Sequence, residues 1–315
     1  MDVEVAENQD RHRHADDDEG GEDGEGPVGA DGGLFHREKI IGEKVQGSPD
    51  CSPTRRGDDV SMFVHETGDG MRGVVGLHGW SGDHRTFTPL WERMPEGWAF
   101  FSFDLPGCGA SPKPAEWNFR ALAREVATEV IQLGMRDLVL VGSCSGAILT
   151  AFVARELLEM GRPEVVGRLV MIDPFAYCPW YFRLFLLPLL GHLIYATAFA
   201  NPIGRGITNF FLQDKRAGDT DLTRSFADVD HRVTRKYLRM LYDCGQPAQF
   251  RGMGLPVDIL YGEKTFSAVR RSVQEWKAAL PQAQMKELKG VGHLPISEGT
   301  KEVAKVVFGG GKVKR

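Results

Sequence analysis

Gly142-Ser143-Cys144-Ser145-Gly146 is the stretch whose residue types and spacing could do chemistry: it closes the apolar run Val139-Leu140-Val141 and opens a helical pattern at Ala147-Ile148. Two glycines at this spacing let a chain turn sharply from strand to helix and lift the middle side chain out of a sheet. That side chain is the thiol of Cys144, a nucleophile able to carry an acyl group. Ser143 and Ser145 lie one residue from the point such a turn exposes, which excludes both. The bland alternative is a Gly-rich turn holding an inert, buried cysteine. Two more groups stand where strands should end: Asp173 after Leu169-Val170-Met171-Ile172, and His293 after Gly290-Val291-Gly292.

The elements needed to hold these groups follow from periodicity. Val74-Val75-Gly76-Leu77, Trp98 to Phe103, the Cys144 strand, Arg168 to Ile172, Val257 to Gly262 and Met285 to Leu288 are short apolar runs, as expected of buried parallel strands. Between them lie helical patterns. One has Asn118 as its cap, Phe119, Leu122, Val126, Val130 and Leu133 on one face, and Gly134 at its end; others cover Val269 to Leu280 and Ser297 to Phe308. Such alternation predicts an α/β fold with a mostly parallel, doubly wound sheet and function at the carboxyl ends of its strands.

Two regions break the alternation. Residues 1 to 33 carry twelve acidic and two basic side chains, a net of -10 in a chain of net -5, which leaves +5 on the remainder. With few large apolar residues, positions 1–58 are expected to be a disordered acidic tail, and 309–315 a flexible end. Between Pro174 and Gly254, Leu184 to Ile203 is uncharged, while Phe226, Val229, Val233, Tyr237 and Met240 share one face of a pattern over Leu222 to Leu241. Pro188, Gly191 and His192 interrupt the uncharged run, and a membrane crossing there would separate strands of one sheet. A helical cap over 174–254 is expected instead, inserted after the sixth strand of a core built from 59–173 and 255–308. Its apolar part should line a pocket, contact a membrane surface, or both.

Several classes are disfavoured. No basic cluster with interleaved aromatics argues for nucleic acid. Five cysteines (51, 108, 144, 178 and 244), odd in number and without Cys-x-x-Cys spacing, argue against a disulfide framework or a structural zinc site. No metal and no cofactor is called for. The acidic start lacks a secretory signal pattern, and free thiols suit a reducing cytoplasm, with membrane association left open through the cap.

From about Val60 to Phe308 the chain resembles the α/β-hydrolase family. The resemblance rests on four motifs in the family's order: His78-Gly79-Trp80-Ser81-Gly82, Asp104-Leu105-Pro106-Gly107-Cys108-Gly109-Ala110-Ser111, the Cys144 turn, and Gly290-Val291-Gly292-His293. It implies a nucleophile elbow at Cys144, His293 as base, and an oxyanion hole made by the backbone N–H groups of Trp80 and Ser145. The Trp80 indole is then a pocket wall or core packing, and Asp104 orders its own turn. One departure stands out. The family's acid usually follows the seventh strand in a Gly-x-x-Asp pattern, and here Gly262-Glu263-Lys264-Thr265 ends in threonine. Some members carry the acid after the sixth strand, which gives Asp173; the alternatives are that Ile-Asp-Pro is only a turn, or that Glu263 reaches the histidine.

These readings imply hydrolysis of an ester or thioester with an apolar acyl group through an S-acyl-enzyme on Cys144. Cysteine elbows occur in dienelactone hydrolases, polyhydroxyalkanoate synthases and some thioesterase domains, none of which matches the whole chain. An acyltransferase using the same intermediate, and an inactive hydrolase-like binding protein, are the alternatives. The oligomeric state is not legible.

Overall fold

The computed structural model of the chain describes residues 62–309 and the backbone of one strand before them, His36–Ile40. Eight strands form one sheet: β1 (His36–Ile40), β2 (Phe63–Thr67), β3 (Arg72–Leu77), β4 (Trp98–Phe103), β5 (Leu138–Ser143), β6 (Val166–Ile172), β7 (Val257–Gly262) and β8 (Gln284–Leu288). Their order is β1-β2-β4-β3-β5-β6-β7-β8, with β2 antiparallel to both neighbours and every other pairing parallel.

The alternation of side chains along each strand supplies two cores. Val75, Leu77, Phe101, Phe103, Leu140, Leu169 and Met171 pack on one face; Val74, Phe100, Val139, Val141, Val170 and Ile172 pack on the other. A one-residue slip would exchange the two sets, so the register is strongly specified. Helices Phe119–Gln132, Ser145–Glu159 and Ser267–Ala279 cover the first face, while Thr88–Trp91 and Thr300–Gly309 cover the second. Asn118 Oδ1 accepts from the Ala121 N–H at 2.8 Å, and Gly134 follows the helix at φ +68°. Because β4 and β5 lie on opposite sides of β3, the sheet reverses its winding between β3 and β5, where ligand crevices form at strand carboxyl ends.

Three expectations need correction. Within the stretch read as a disordered tail, the chain forms β1, paired antiparallel with β2; its ladder uses backbone groups, so a polar His-Arg-Glu-Lys run can serve as an edge strand. The rest of 1–58 lies outside the described residues, as do 310–315. The amphipathic helix expected from Leu222 runs only over His231–Asp243, because the Asp230 carboxylate caps it by accepting from the N–H groups of Arg232 and Val233. The last helical pattern is broken at Gly299, between a short turn, Pro295–Glu298, and Thr300–Gly309. Between β6 and β7 the described residues hold helices and no strand, including the pair Leu190–Phe199 and Pro202–Phe211.

Candidate active site

Cys144 sits at the end of β5 with φ +55° and ψ -116°, a conformation unusual for a residue with a side chain. The turn is held by the Cys144 N–H, which donates to the Ile172 carbonyl at 2.8 Å, and by the Ala147 N–H on the Cys144 carbonyl. Both flanking glycines are required by close approach. A Cβ on Gly142 would strike the Gly146 carbonyl and the Ala147 backbone; one on Gly146 would strike the carbonyls of Leu77 and His78. The helix that starts at Ser145 therefore presses against β3 and β5, with the positive end of its dipole at the thiol.

The loop after β3 is brought against the elbow. A Cβ on Gly79 would meet Cys144 Cβ at 2.9 Å. The buried His78 imidazole shapes this loop, with Nδ1 donating to the Gly79 carbonyl at 2.9 Å and Nε2 accepting from the Leu105 N–H at 3.0 Å. Burial pushes its pKa below the ordinary value, which keeps the ring neutral for those two roles. Among the described residues, no protein acceptor takes the backbone N–H of Trp80 or of Ser145. The Trp80 indole donates to the Thr234 carbonyl at 2.8 Å and packs edge-on against Phe182, Phe199 and Phe226, so it joins the core loop to the inner face of the cap.

His293 and Asp173 meet at the opposite side of the elbow. Nδ1 of His293 lies 2.8 Å from Asp173 Oδ2. Asp173 is fully buried, adopts φ +48°, and accepts at Oδ1 from the Gly262 N–H at 3.0 Å. The Thr265 hydroxyl donates to Asp173 Oδ2 at 2.5 Å and lies 3.1 Å from His293 Nδ1. With a carboxylate opposite, Nδ1 carries the proton and Nε2 is left for other work. Burial opposes charge on this imidazole, but hydrogen bonds and charge from Asp173 and Cys144 overcome it and raise the pKa to about 10. The cap touches this group too, because the His293 N–H donates to the Lys215 carbonyl at 2.8 Å.

Other candidates fall elsewhere. The Glu263 carboxylate accepts from the Gly290 N–H at 2.8 Å and pairs with Lys289 on the surface; these contacts hold its pKa down and turn it away from His293. Asp104 accepts from the His84 and Ala110 N–H groups and pairs with the His84 ring, ordering its turn. Asp83, His84 and Asp104 could hold a metal by proximity, yet Asp83 is engaged by Arg85 and Asp104 by His84, so the cluster is internally satisfied. Burial raises Cys108 to about 12, Cys178 to about 11 and Cys244 to about 12; Cys51 lies outside the described residues. Sequence reasoning missed Thr265 as a partner of the acid and Lys215 as a support of the histidine loop. The threonine was signalled by its place in Gly262-x-x-Thr265; Lys215 carried no signal.

Comparison with known proteins agrees with this architecture. The model of the family described as "Alpha/beta hydrolase family" matches residues 74–306. An AB hydrolase superfamily protein of Bacillus subtilis (strain 168) is 33% identical over 101 residues, which span 31% of this chain and 37% of that protein, so only about a third of its length is matched. A pimeloyl-[acyl-carrier protein] methyl ester esterase of Neisseria meningitidis serogroup A is 24% identical over 238 residues, covering 72% of this chain and 73% of that protein. Among solved structures, an esterase from Exiguobacterium antarcticum shares the fold with a TM-score of 0.64 at 16% identity, over 79% of this chain and 94% of that one.

Proposed function

Because this chain belongs to the alpha/beta hydrolase family, we propose that it hydrolyses an ester or thioester with an apolar acyl group, using Cys144 as nucleophile. The observation that carries the reading is the His293 imidazole, whose Nδ1 lies 2.8 Å from buried Asp173 and whose pKa is raised by both Asp173 and Cys144. The esterase activity named for the Neisseria relative supports the reaction class.

His293 takes the thiol proton of Cys144 at Nε2, the sulfur attacks the acyl carbon, and a C–S bond forms as the carbonyl oxygen takes the electron pair. The backbone N–H groups of Trp80 and Ser145 receive that oxyanion. As it collapses, the bond to the leaving group breaks and His293 delivers its proton there. Water then attacks the S-acyl-enzyme, His293 takes its proton, and the acid is released with Cys144 restored. Asp173 holds the ring orientation and offsets the imidazolium charge. The inner wall of Trp80, Phe182, Phe199 and Phe226 accommodates the acyl chain.

Intact-protein mass spectrometry after exposure to a series of p-nitrophenyl esters and acyl thioesters tests this. One acyl group should load per chain, be lost in Cys144→Ala, and decay with turnover; an acyl group that leaves only when an alcohol, amine or thiol is added identifies an acyltransferase. Longer chains should be preferred over acetyl by up to ~0.8 kcal/mol per buried methylene. Acylation that persists in Cys144→Ala, or no acylation with any ester, removes the mechanism.

A further inference from the structure

The outer surface of the cap reverses ordinary packing. On the helix Pro202–Phe211 the apolar side chains Ile203, Ile207, Phe210 and Phe211 recur at helical spacing, and all four are exposed, Ile203 by 75% and Phe211 by 77%. The only buried residue of that helix is Gly204, so its apolar stripe points away from the protein. The preceding helix, Leu190–Phe199, has apolar side chains on both sides: Tyr195 and Phe199 face inward, while Leu190 and Leu193 face solvent beside His192 and Thr197. Leu189 before it is 97% exposed at φ +61° and ψ -54°, and the Leu190 N–H donates to the Pro188 carbonyl at 2.7 Å. That closes a strained γ-turn, which presents a leucine at its tip. Trp180 is also exposed.

Charge sets the choice of occupant. From Pro174 to Gln213 there is no Asp or Glu, and the basic side chains are Arg183, His192 and Arg205, in a chain that is 26% charged overall. Residues 1 to 33, with net -10 and few large apolar side chains, are chemically unsuited to covering an apolar face. No helix among the described residues is long and apolar enough to cross a membrane, and the pair Trp180–Leu186 and Leu190–Phe199 is bent by 113°.

We propose that this cap face docks onto a lipid bilayer, with the helix Pro202–Phe211 lying in the interface and the Leu189 tip inserted. An exposed stripe of Ile and Phe, an exposed tryptophan and a segment, Pro174 to Gln213, without carboxylates are the features of a helix that lies on a membrane, the first carboxylates after it being Asp214, Asp219 and Asp221. The docked helix is followed by Gln213–Lys215, whose last carbonyl holds the His293 N–H, and the adjoining helix shares its inner side with the acyl wall. Docking thus brings the cap that contacts the His293 loop and Trp80 beside a supply of acyl lipids. Only this last consequence rests on the proposed hydrolase activity.

The test is flotation of the full chain with vesicles of phosphatidylcholine, alone or mixed with phosphatidylserine, at low and high salt. The protein should float with both, and high salt should leave most of it bound, because apolar insertion dominates. Leu189→Asp/Ile207→Asp/Phe211→Asp should bind at least roughly tenfold less, with unchanged circular dichroism and unchanged hydrolysis of a soluble acetyl ester. Phe211→Ser alone serves if the triple variant does not fold, and should also bind less. Cys144→Ala should float like the native chain, which separates docking from catalysis. The proposal is overturned if the native chain stays with the soluble fraction, if neither cap variant binds less, or if the native chain is a vesicle-indifferent dimer that these substitutions dissociate.

Discussion

The strand ends around Cys144 and the outer face of the cap depart from the usual partition of polar and apolar groups in opposite directions. At the first, a carboxylate, Asp173, is completely buried; at the second, Leu189 and Phe211 stand in solvent. Burying a carboxylate is unfavourable unless it is paired and hydrogen-bonded, and Asp173 has Gly262, Thr265 and His293 as partners. The exposed apolar side chains are not covered by others among the described residues. The inward departure is therefore satisfied by the fold alone, whereas the outward one is the face proposed to dock onto a bilayer. Each region makes a different kind of substitution consequential, and that difference can be measured.

The largest effect is expected at the buried acid. Asp173→Asn should lower kcat/KM by on the order of 10²–10⁴, the lower end reflecting the intrinsic nucleophilicity of a thiol. Glu263→Gln should leave it near native, since Glu263 faces Gly290 and Lys289. Adding Thr265→Asp to Asp173→Asn should recover part of the loss, because the Thr265 hydroxyl already lies 3.1 Å from Nδ1. Near-native turnover in Asp173→Asn with loss in Glu263→Gln would reverse the assignment.

Much of this region was legible because its motifs constrain backbone as well as chemistry. The two glycines around Cys144 are required by contacts with β3 and the elbow helix, so their spacing in the sequence encoded a three-dimensional turn. The position of Asp173 after an apolar strand could likewise be read, but its contact with His293 could not, since 120 residues separate them. Thr265 looked like the loss of an acid; in space it is a hydroxyl that donates to the acid next door. The cap was less legible. Its apolar composition was plain, yet composition does not say which way a helix turns its stripe, and Ile203, Ile207, Phe210 and Phe211 turn it outward. β1 was missed because an edge strand of polar residues lacks the hydrophobic alternation by which strands are recognised.

An intermediate effect concerns pH and stability. The folded-state pKa of His293 is raised from 6.5 to about 10. Protonation therefore favours the folded state: this contribution is fully present below the unfolded pKa near 6.5 and is lost as pH rises through about 10. Stability should fall between about pH 6.5 and 9 by roughly 1 kcal/mol per pH unit for one proton; above 9 the raised buried thiols act in the same sense. His78 and His231, both pushed down by burial, act oppositely and at lower pH. Denaturant titrations across this range should show the decline in the native chain and a flatter profile in Asp173→Asn. Equal slopes in both would mean that the Asp173 carboxylate does not hold the proton on the ring.

The smallest effect should come from the outward-facing region, and its smallness is what distinguishes that region from a core. Leu193→Ser or Ile207→Ser should change unfolding free energy in urea by no more than about 0.5 kcal/mol, as at other unpartnered surface positions. Leu169→Ala, on the buried face of β6, should cost about 2–5 kcal/mol. Leu189 sharpens the contrast. Its positive φ is strained for a branched side chain and natural for glycine, so Leu189→Gly should hold or raise stability, by up to about 1 kcal/mol, while weakening vesicle binding. A side chain whose removal stabilises the fold and impairs docking is retained for what it meets outside the molecule. If Leu193→Ser and Ile207→Ser instead cost as much as Leu169→Ala at micromolar protein, and the cost shrinks on dilution, the face is packed against a second copy, and the contrast between the two regions is that of two cores.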